Sequence, residues 1–218
     1  VTHTADCSGV IFSPNWRSAF HQAVKRLIDV LGSGLLLVAL FPLFLVLAII
    51  VKFSSPGHVF YRWRVVGQAG KPFLSYKFRS MVNNADDLKE TLEGSNEMTG
   101  PVFKLTNDPR ITPAGKWMRR YSLDELPQLY SVLKGDMSLV GPRPPLATEY
   151  QRFTKFQEQK LQVKPGITCL WQVNGRNQVN DFDAWVRLDL EYIRCWSLGL
   201  DVKILLRTVA AVLAGSGK

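Results

Sequence analysis

Apolar positions are spread unevenly along this chain, and the extreme case comes early: Val30 to Val51 is a run of 22 positions without a charge. Such a run is long enough to cross a bilayer core, which needs about 20 apolar residues. Basic residues stand on both sides of it, Arg17, Lys25 and Arg26 before and Lys52, Arg62, Arg64 and Lys71 after. A span normally leaves its basic flank on the cytoplasmic side, so this pattern favours neither orientation. Pro42 lacks an amide hydrogen and crowds the carbonyl of Val38, which kinks or breaks a helix at that point. Two arms of about eleven residues, at ~1.5 Å per residue, reach about 16 Å each, roughly half of a ~30 Å core. A re-entrant helix over residues 20–52, entering one leaflet and returning at Pro42, satisfies both observations. A kinked true span and a buried core helix are the alternatives.

Beyond this run the pattern changes period. Val59–Val66 and Phe73–Phe78 alternate as short strands, joined by Gly67-Gln68-Ala69-Gly70 as a hairpin. Ser54 to Gly57 is a turn. Asn83–Glu93 is acidic with helical period, a solvated face. Pro113–Tyr121 interleaves Lys116, Arg119 and Arg120 with Trp117 and Met118. That composition suits a helix lying at lipid headgroups, or an amphipathic helix docked on a soluble core. Two similar segments fill Trp185–Leu213, split at Ser197–Gly199. The predicted fold is helix-rich α+β: a tail over 1–19, the re-entrant helix over 20–52, surface amphipathic helices, and small β-hairpins in a domain over 53–218.

Charge and cysteine content narrow the classes. The chain carries 27 Lys and Arg against 18 Asp and Glu, a net +9. That balance fits nucleic acid, anionic lipid or a phosphate-bearing small substrate. Three widely spaced cysteines, Cys7, Cys169 and Cys195, form no metal-ligand spacing and argue against a disulfide framework. The apolar run is too long for a signal peptide and no small-residue cleavage site follows it. A start at Val1, without methionine, is expected of a piece of a longer or processed protein.

Three constellations could carry chemistry. In Ser122-Leu123-Asp124-Glu125-Leu126-Pro127, Ser122 and Glu125 read as a capping box, but Pro127 would then orphan a carbonyl. A helix beginning at Asp124 avoids this and places the carboxylate at a positive helix end. Gly141-Pro142-Arg143-Pro144-Pro145 fixes the backbone around one guanidinium, whose planar fork matches phosphate oxygens; an ordinary proline-rich turn is the alternative. In Lys164 to Asn177, Asn174-Gly175 signals a hairpin with Arg176 at its tip.

Taken together and in order, Tyr76 to Met81, Asn107 to Thr112, Ser122 to Leu129, Leu133 to Pro145 and Lys164 to Arg176 resemble the bacterial sugar transferases, the monotopic phosphoglycosyl transferases. The resemblance covers about residues 24–215, and it is to the catalytic domain of longer members. It implies transfer of a sugar-1-phosphate from a UDP-sugar to undecaprenyl phosphate with release of UMP, the first membrane step of exopolysaccharide, capsule or O-antigen assembly. By that resemblance Asp124 and Glu125 are the catalytic pair, Asp124 as the nucleophile and a magnesium ligand and Glu125 in metal or proton handling. Lys77, Arg79, Arg143, Lys164, Gly166, Gln172 and Arg176 would bind substrate, and Pro42 is the membrane kink. The implied setting is the bacterial inner membrane with the catalytic domain on the cytoplasmic face, no nucleic-acid partner, and any homo-oligomer formed through an upstream region. Phe41, before the kink proline, and Cys169, after Gly166-Ile167-Thr168, depart from the family pattern. The competing reading is a non-enzymatic basic module that binds membrane surfaces.

Overall fold

A bent pair of helices opens the structure. The computed structural model describes residues 18–174, 179–215 and 217. Helix α1 (Ala19–Ala39) starts where the Ser18 hydroxyl accepts the His21 amide hydrogen. Helix α2 (Phe41–Ser54) follows after Leu40 at an angle of 62°. Pro42 does not sit inside a helix; it lies in the first turn of α2, where an amide hydrogen has no intrahelical partner in any case. At the break the Leu40 amide hydrogen bonds Leu36 O at 2.9 Å. No single helix among the described residues is long and apolar enough to cross a membrane, whereas α1 and α2 pass that test as a bent pair.

The first half of α1 is built into the body of the protein. Buried Asp29 accepts hydrogen bonds from Ser138 Oγ (3.0 Å) and Leu139 N (2.9 Å). Lys25 pairs with Asp201 at 2.6 Å, and Arg26 donates to the carbonyls of Val132 and Leu133. The second half of α1 and all of α2 leave large apolar side chains outside, including Leu31, Leu35, Val38, Phe41, Leu45, Ile49 and Phe53. A contiguous apolar face of this kind marks an interaction surface.

Strands β1 (Phe60–Val66) and β2 (Pro72–Phe78) form an antiparallel hairpin in the register Phe60↔Phe78 to Val66↔Pro72. Ala69 and Gly70 turn the chain with positive φ. Helix α3 (Asp87–Leu92) takes up the acidic stretch. Helix α4 (Pro113–Arg120) starts at Thr112, whose side chain accepts the Gly115 amide hydrogen. Then come α5 (Gln128–Lys134), β3 (Ser138–Val140), α6 (Ala147–Tyr150), α7 (Lys155–Glu158), β4 (Gly166–Thr168), α8 (Leu170–Val173), α9 (Phe182–Arg194) and α10 (Leu198–Leu213).

Two expectations change here. The arm preceding Asn174-Gly175 is not a hairpin strand. Its first part, β4, pairs in parallel with β3, Ser138↔Gly166 and Val140↔Thr168, and its second part is helix α8. Residues 175–178, with Arg176, lie outside the described residues. Helix α9 is a core helix and not a headgroup-level one, because Phe182, Trp185, Val186, Leu190, Tyr192 and Ile193 are all buried. Each aliphatic or phenyl side chain of that set contributes about 1.5–3 kcal/mol by leaving water. They meet Leu129, Val132, Met137, Leu139 and Val140 in the main core, while Leu47, Val51, Phe78 and Met118 form a second cluster under α2. Cys169 is buried in the main core.

Candidate active site

The chain between α4 and α5 is irregular, and the irregularity sets the position of Asp124. Ser122 takes the left-handed conformation (φ 53°, ψ 24°), and its side chain caps nothing. Leu123–Glu125 is a single 3₁₀ turn, and Pro127 stands immediately before α5, where its missing amide hydrogen is not needed. Neither sequence alternative survives intact: there is no capping box, and Asp124 does not begin a regular helix. A non-glycine residue with positive φ is uncommon and costs about 1–3 kcal/mol. Here it reverses the chain tightly enough to bring Asp124 to the wall of a cavity of ≈ 690 Å³, with its side chain largely withdrawn from solvent.

That cavity lies between the hairpin and the chain leaving α2. His58 and Val59, just past α2, line it together with Tyr61, Arg62, Trp63 and Lys77 from the strands. Arg119 from α4 and Arg143 complete a lining in which cations outnumber carboxylates. Lys77 Nζ lies 2.8 Å from Glu125 Oε1 and 4.1 Å from the centre of the Trp63 ring. Both partners of that ion pair are mostly buried, so screening by water is reduced. The pair ties Glu125 to Lys77 beside Asp124. Trp63 Nε1 is buried without an acceptor, an unused donor in the wall.

The predicted substrate residues separate into groups. Lys77 and Arg143 stand with Asp124 in the cavity. Arg79 also reaches it, but its guanidinium is engaged at the exit of α2: Nη1 donates to Pro56 O and to Asn83 Oδ1 (2.6 Å), and Nη2 to Ser55 O (2.6 Å) and Val51 O (3.4 Å). Lys164 lines a different cavity of ≈ 410 Å³, between the start of α1 and Tyr192 and Trp196. Gly166 has a packing duty, since a Cβ there would stand 2.0 Å from Gly141 N. Gln172 accepts from Cys169 Sγ at 3.4 Å on α8, and Cys169 is in the core, so neither lines the Asp124 cavity. Arg119 is a cavity residue that the motif reading did not single out. Its place in a basic and aromatic segment pointed to a surface, and only the fold turns it inward.

A model described as bacterial sugar transferase matches residues 20–215. The chain belongs to the bacterial sugar transferase family. It is 46% identical over 212 residues to a galactosyl transferase of Streptococcus agalactiae serotype III, covering 96% of this chain and 46% of that protein. It is 43% identical over 198 residues to the undecaprenyl-phosphate galactose phosphotransferase of Salmonella typhimurium, covering 89% of this chain and 41% of that one. It is 40% identical over 221 residues to an exopolysaccharide production protein of Rhizobium meliloti, covering 98% and 97%. The chain thus spans less than half the length of the first two relatives and nearly all of the third.

Within this sugar transferase the donors suit one mode of magnesium binding. Magnesium is commonly held by one or two carboxylates, with phosphate oxygens and water completing its shell. Asp124 supplies such a carboxylate beside cations suited to a diphosphate. Among the described residues no three His, Cys, Asp or Glu side chains converge, so the remaining ligands would come from substrate and water. The family motif at Asn107 to Thr112 has a structural use: Arg110 forks onto Asp108 (2.9 and 2.6 Å) and also bonds Ala85 O.

Proposed function

We propose that this sugar transferase moves a sugar-1-phosphate from a UDP-sugar to undecaprenyl phosphate and releases UMP. One observation carries the reading: a largely buried aspartate, Asp124, in the wall of a roomy cavity lined by Lys77, Arg62, Arg119 and Arg143. An Asp124 oxygen attacks the β-phosphorus, the bond from that phosphorus to the bridging oxygen breaks, and UMP leaves. The aspartyl sugar-phosphate is then attacked at phosphorus by an oxygen of the lipid phosphate, which frees the Asp124 carboxylate. Dividing the transfer into two displacements lets one side chain serve both substrates. The attack brings a carboxylate onto a dianionic diphosphate, and the arginines and lysine of the wall offset that charge. Magnesium held at Asp124 would add to that neutralisation. Lys77, steadied by Glu125 and Trp63, is placed to meet a phosphate oxygen, and the Trp63 indole N–H offers a further donor.

The same proposal includes a membrane setting, which the outer faces of the first two helices support. The apolar outer faces of α1 and α2 fit a helix pair that enters one leaflet and returns, leaving the Asp124 cavity at the lipid headgroups, on the cytoplasmic side of the inner membrane. The names of the relatives above, which include galactose transfer to a lipid phosphate and exopolysaccharide production, agree with this chemistry. A basic surface-binding module would leave a buried aspartate and a buried Lys77–Glu125 pair without a purpose.

The test is a panel of UDP-sugars with undecaprenyl phosphate, read as UMP against UDP. UMP release by wild type, abolished in Asp124→Asn, is the expected result. Labelled UDP-sugar without lipid should label wild-type protein and leave Asp124→Asn unlabelled. Release of UDP, or full activity in Asp124→Asn, would overturn the covalent scheme.

A further inference from the structure

Behind Arg143 stands a group of buried side chains that the cavity itself does not explain. The Arg143 guanidinium lies 5.3 Å from the centre of the Trp185 ring, and Trp185 is stacked on Trp171 at 3.9 Å and 10°. Lys160 Nζ lies 5.1 Å from the same Trp185 ring and 2.5 Å from Asp189 Oδ2. The side chains of Lys160 and Asp189 are 2% and 0% exposed, the driest ion pair among the described residues. Arg143, Lys160 and Trp185 border one small void, and Glu149, the nearest other carboxylate there, is turned to the amide hydrogen of Leu146.

Stability gives no reason for this pair. Desolvating both charges costs several kcal/mol per ion, and apolar replacements of similar volume are often neutral or stabilising. Its location gives one. Burial pushes the Asp189 carboxyl up, and the charges of Lys160 and Arg143 act against that rise. Without Asp189, an uncompensated ammonium 5.1 Å from the Trp185 ring centre would repel the guanidinium 5.3 Å from it.

We propose that Asp189 is a positioning residue for Arg143: it cancels the charge of Lys160, which shares the Trp185 ring and one small void with the guanidinium, and so keeps the guanidinium at the cavity that contains Asp124. Trp185 is the platform and Lys160 locks the carboxylate in place. The proposal rests on reading that cavity as the diphosphate site. It predicts that Asp189 acts through Arg143, so the effects of the two residues overlap and do not multiply.

The test is a double-mutant cycle on the full chain in lipid nanodiscs, with UDP-galactose and undecaprenyl phosphate, or the best UDP-sugar of the panel. Asp189→Asn should lower kcat/KM for UMP release about tenfold, mainly through KM for the UDP-sugar, and less than about twofold in an Arg143→Ala background. The same factor in both backgrounds, or no loss in the single variant, overturns the proposal. Should Asp189→Asn fold poorly, Lys160→Met with Asp189→Leu replaces the pair by apolar groups. That double variant removes the ammonium along with the carboxylate, so it should melt at or above the wild-type midpoint and bring kcat/KM for UMP release back to within about twofold of wild type, and a tenfold defect that persists in it overturns the charge-cancelling role. No UMP release by wild type from any UDP-sugar is a different failure, which removes the reading of the site and this proposal with it.

Discussion

Replacing Arg79 by alanine separates two duties that the motif and the fold assign to one residue. By resemblance Arg79 meets substrate; in the structure it closes the exit of α2. Its Nη1 and Nη2 hold the carbonyls of Val51, Ser55 and Pro56 and the side-chain oxygen of Asn83, with the residue only 7% exposed. The last carbonyls of a helix have no partners of their own, so these bonds replace a cap. An orphaned buried acceptor costs about 1–3 kcal/mol, and the lower figure applies where water enters the space left by the guanidinium. Val51 O keeps the Ser54 hydroxyl as a donor, so the Ser55 and Pro56 carbonyls, at about 1 kcal/mol each, give a loss of about 2 kcal/mol. At about 2–4 °C per kcal/mol for a chain of this size, the thermal midpoint should fall by roughly 4–8 °C. The six tryptophans allow melting to be followed by intrinsic fluorescence. UMP release measured well below both midpoints should show KM for the UDP-sugar within about twofold of wild type, because the loss is one of stability. Arg79→Lys should recover little, since a single ammonium cannot span carbonyls that the planar fork reaches together. An unchanged midpoint with KM raised tenfold or more would refute this and return Arg79 to the substrate.

Three further outcomes are expected. Gly166→Ala should prevent stable folding, because a Cβ there meets the backbone of Gly141 on the paired strand, and recovery of soluble-domain fluorescence like wild type would refute the packing argument. Cysteine labelling at Ser18 and at Ser80 in intact cells should give matching protection if α1 and α2 return to one face; opposite labelling would mean a true span, and Pro42→Ala should shift the protein toward that state. Burial raises the Asp108 carboxyl, but the hydrogen bonds and charge of Arg110 more than offset this and hold it below 3.8. A depressed carboxyl contributes stability that is present above its unfolded value and is lost as pH falls through the folded one. Asp108→Asn should therefore melt below wild type near neutral pH, with the gap closing below pH 3.8; a gap constant with pH would show that charge is not the cause.

The geometry also explains why the aspartate of the cavity wall needs an awkward turn. Had α4 run on into α5, Asp124 would lie on a helix face with its neighbours at i ± 3 and i ± 4. The left-handed Ser122 and the single 3₁₀ turn interrupt the helix and set the carboxylate against the hairpin, where Lys77 and Trp63 wait. Strain of this kind is tolerated where the surroundings hold it, here by Glu125 N bonding back to Ser122 O and by Pro127 entering α5.

What the sequence determined by itself was local in origin. Pro42 within an uncharged run implied two helices and a bend, and the strands around Gly67 to Gly70 formed where alternation placed them. Pro113 to Tyr121 implied a short helix, and the order of motifs implied the family. Each of these depends on a residue and its neighbours within a few positions. The tertiary structure decided the rest. Lys164 and Gly166 belong to a strand whose partner, Ser138 to Val140, lies far back in the chain, so the hairpin signal at Asn174-Gly175 could not reveal that pairing. Arg79 also bonds the carbonyls of Ser55 and Pro56 at the exit of α2, a contact more than 20 residues away that its motif could not show. Asp189 and Lys160 are separated by 28 intervening residues and meet only when α9 closes over the main core. Periodicity reports which face of an element is buried, but which charges are desolvated together depends on long-range packing.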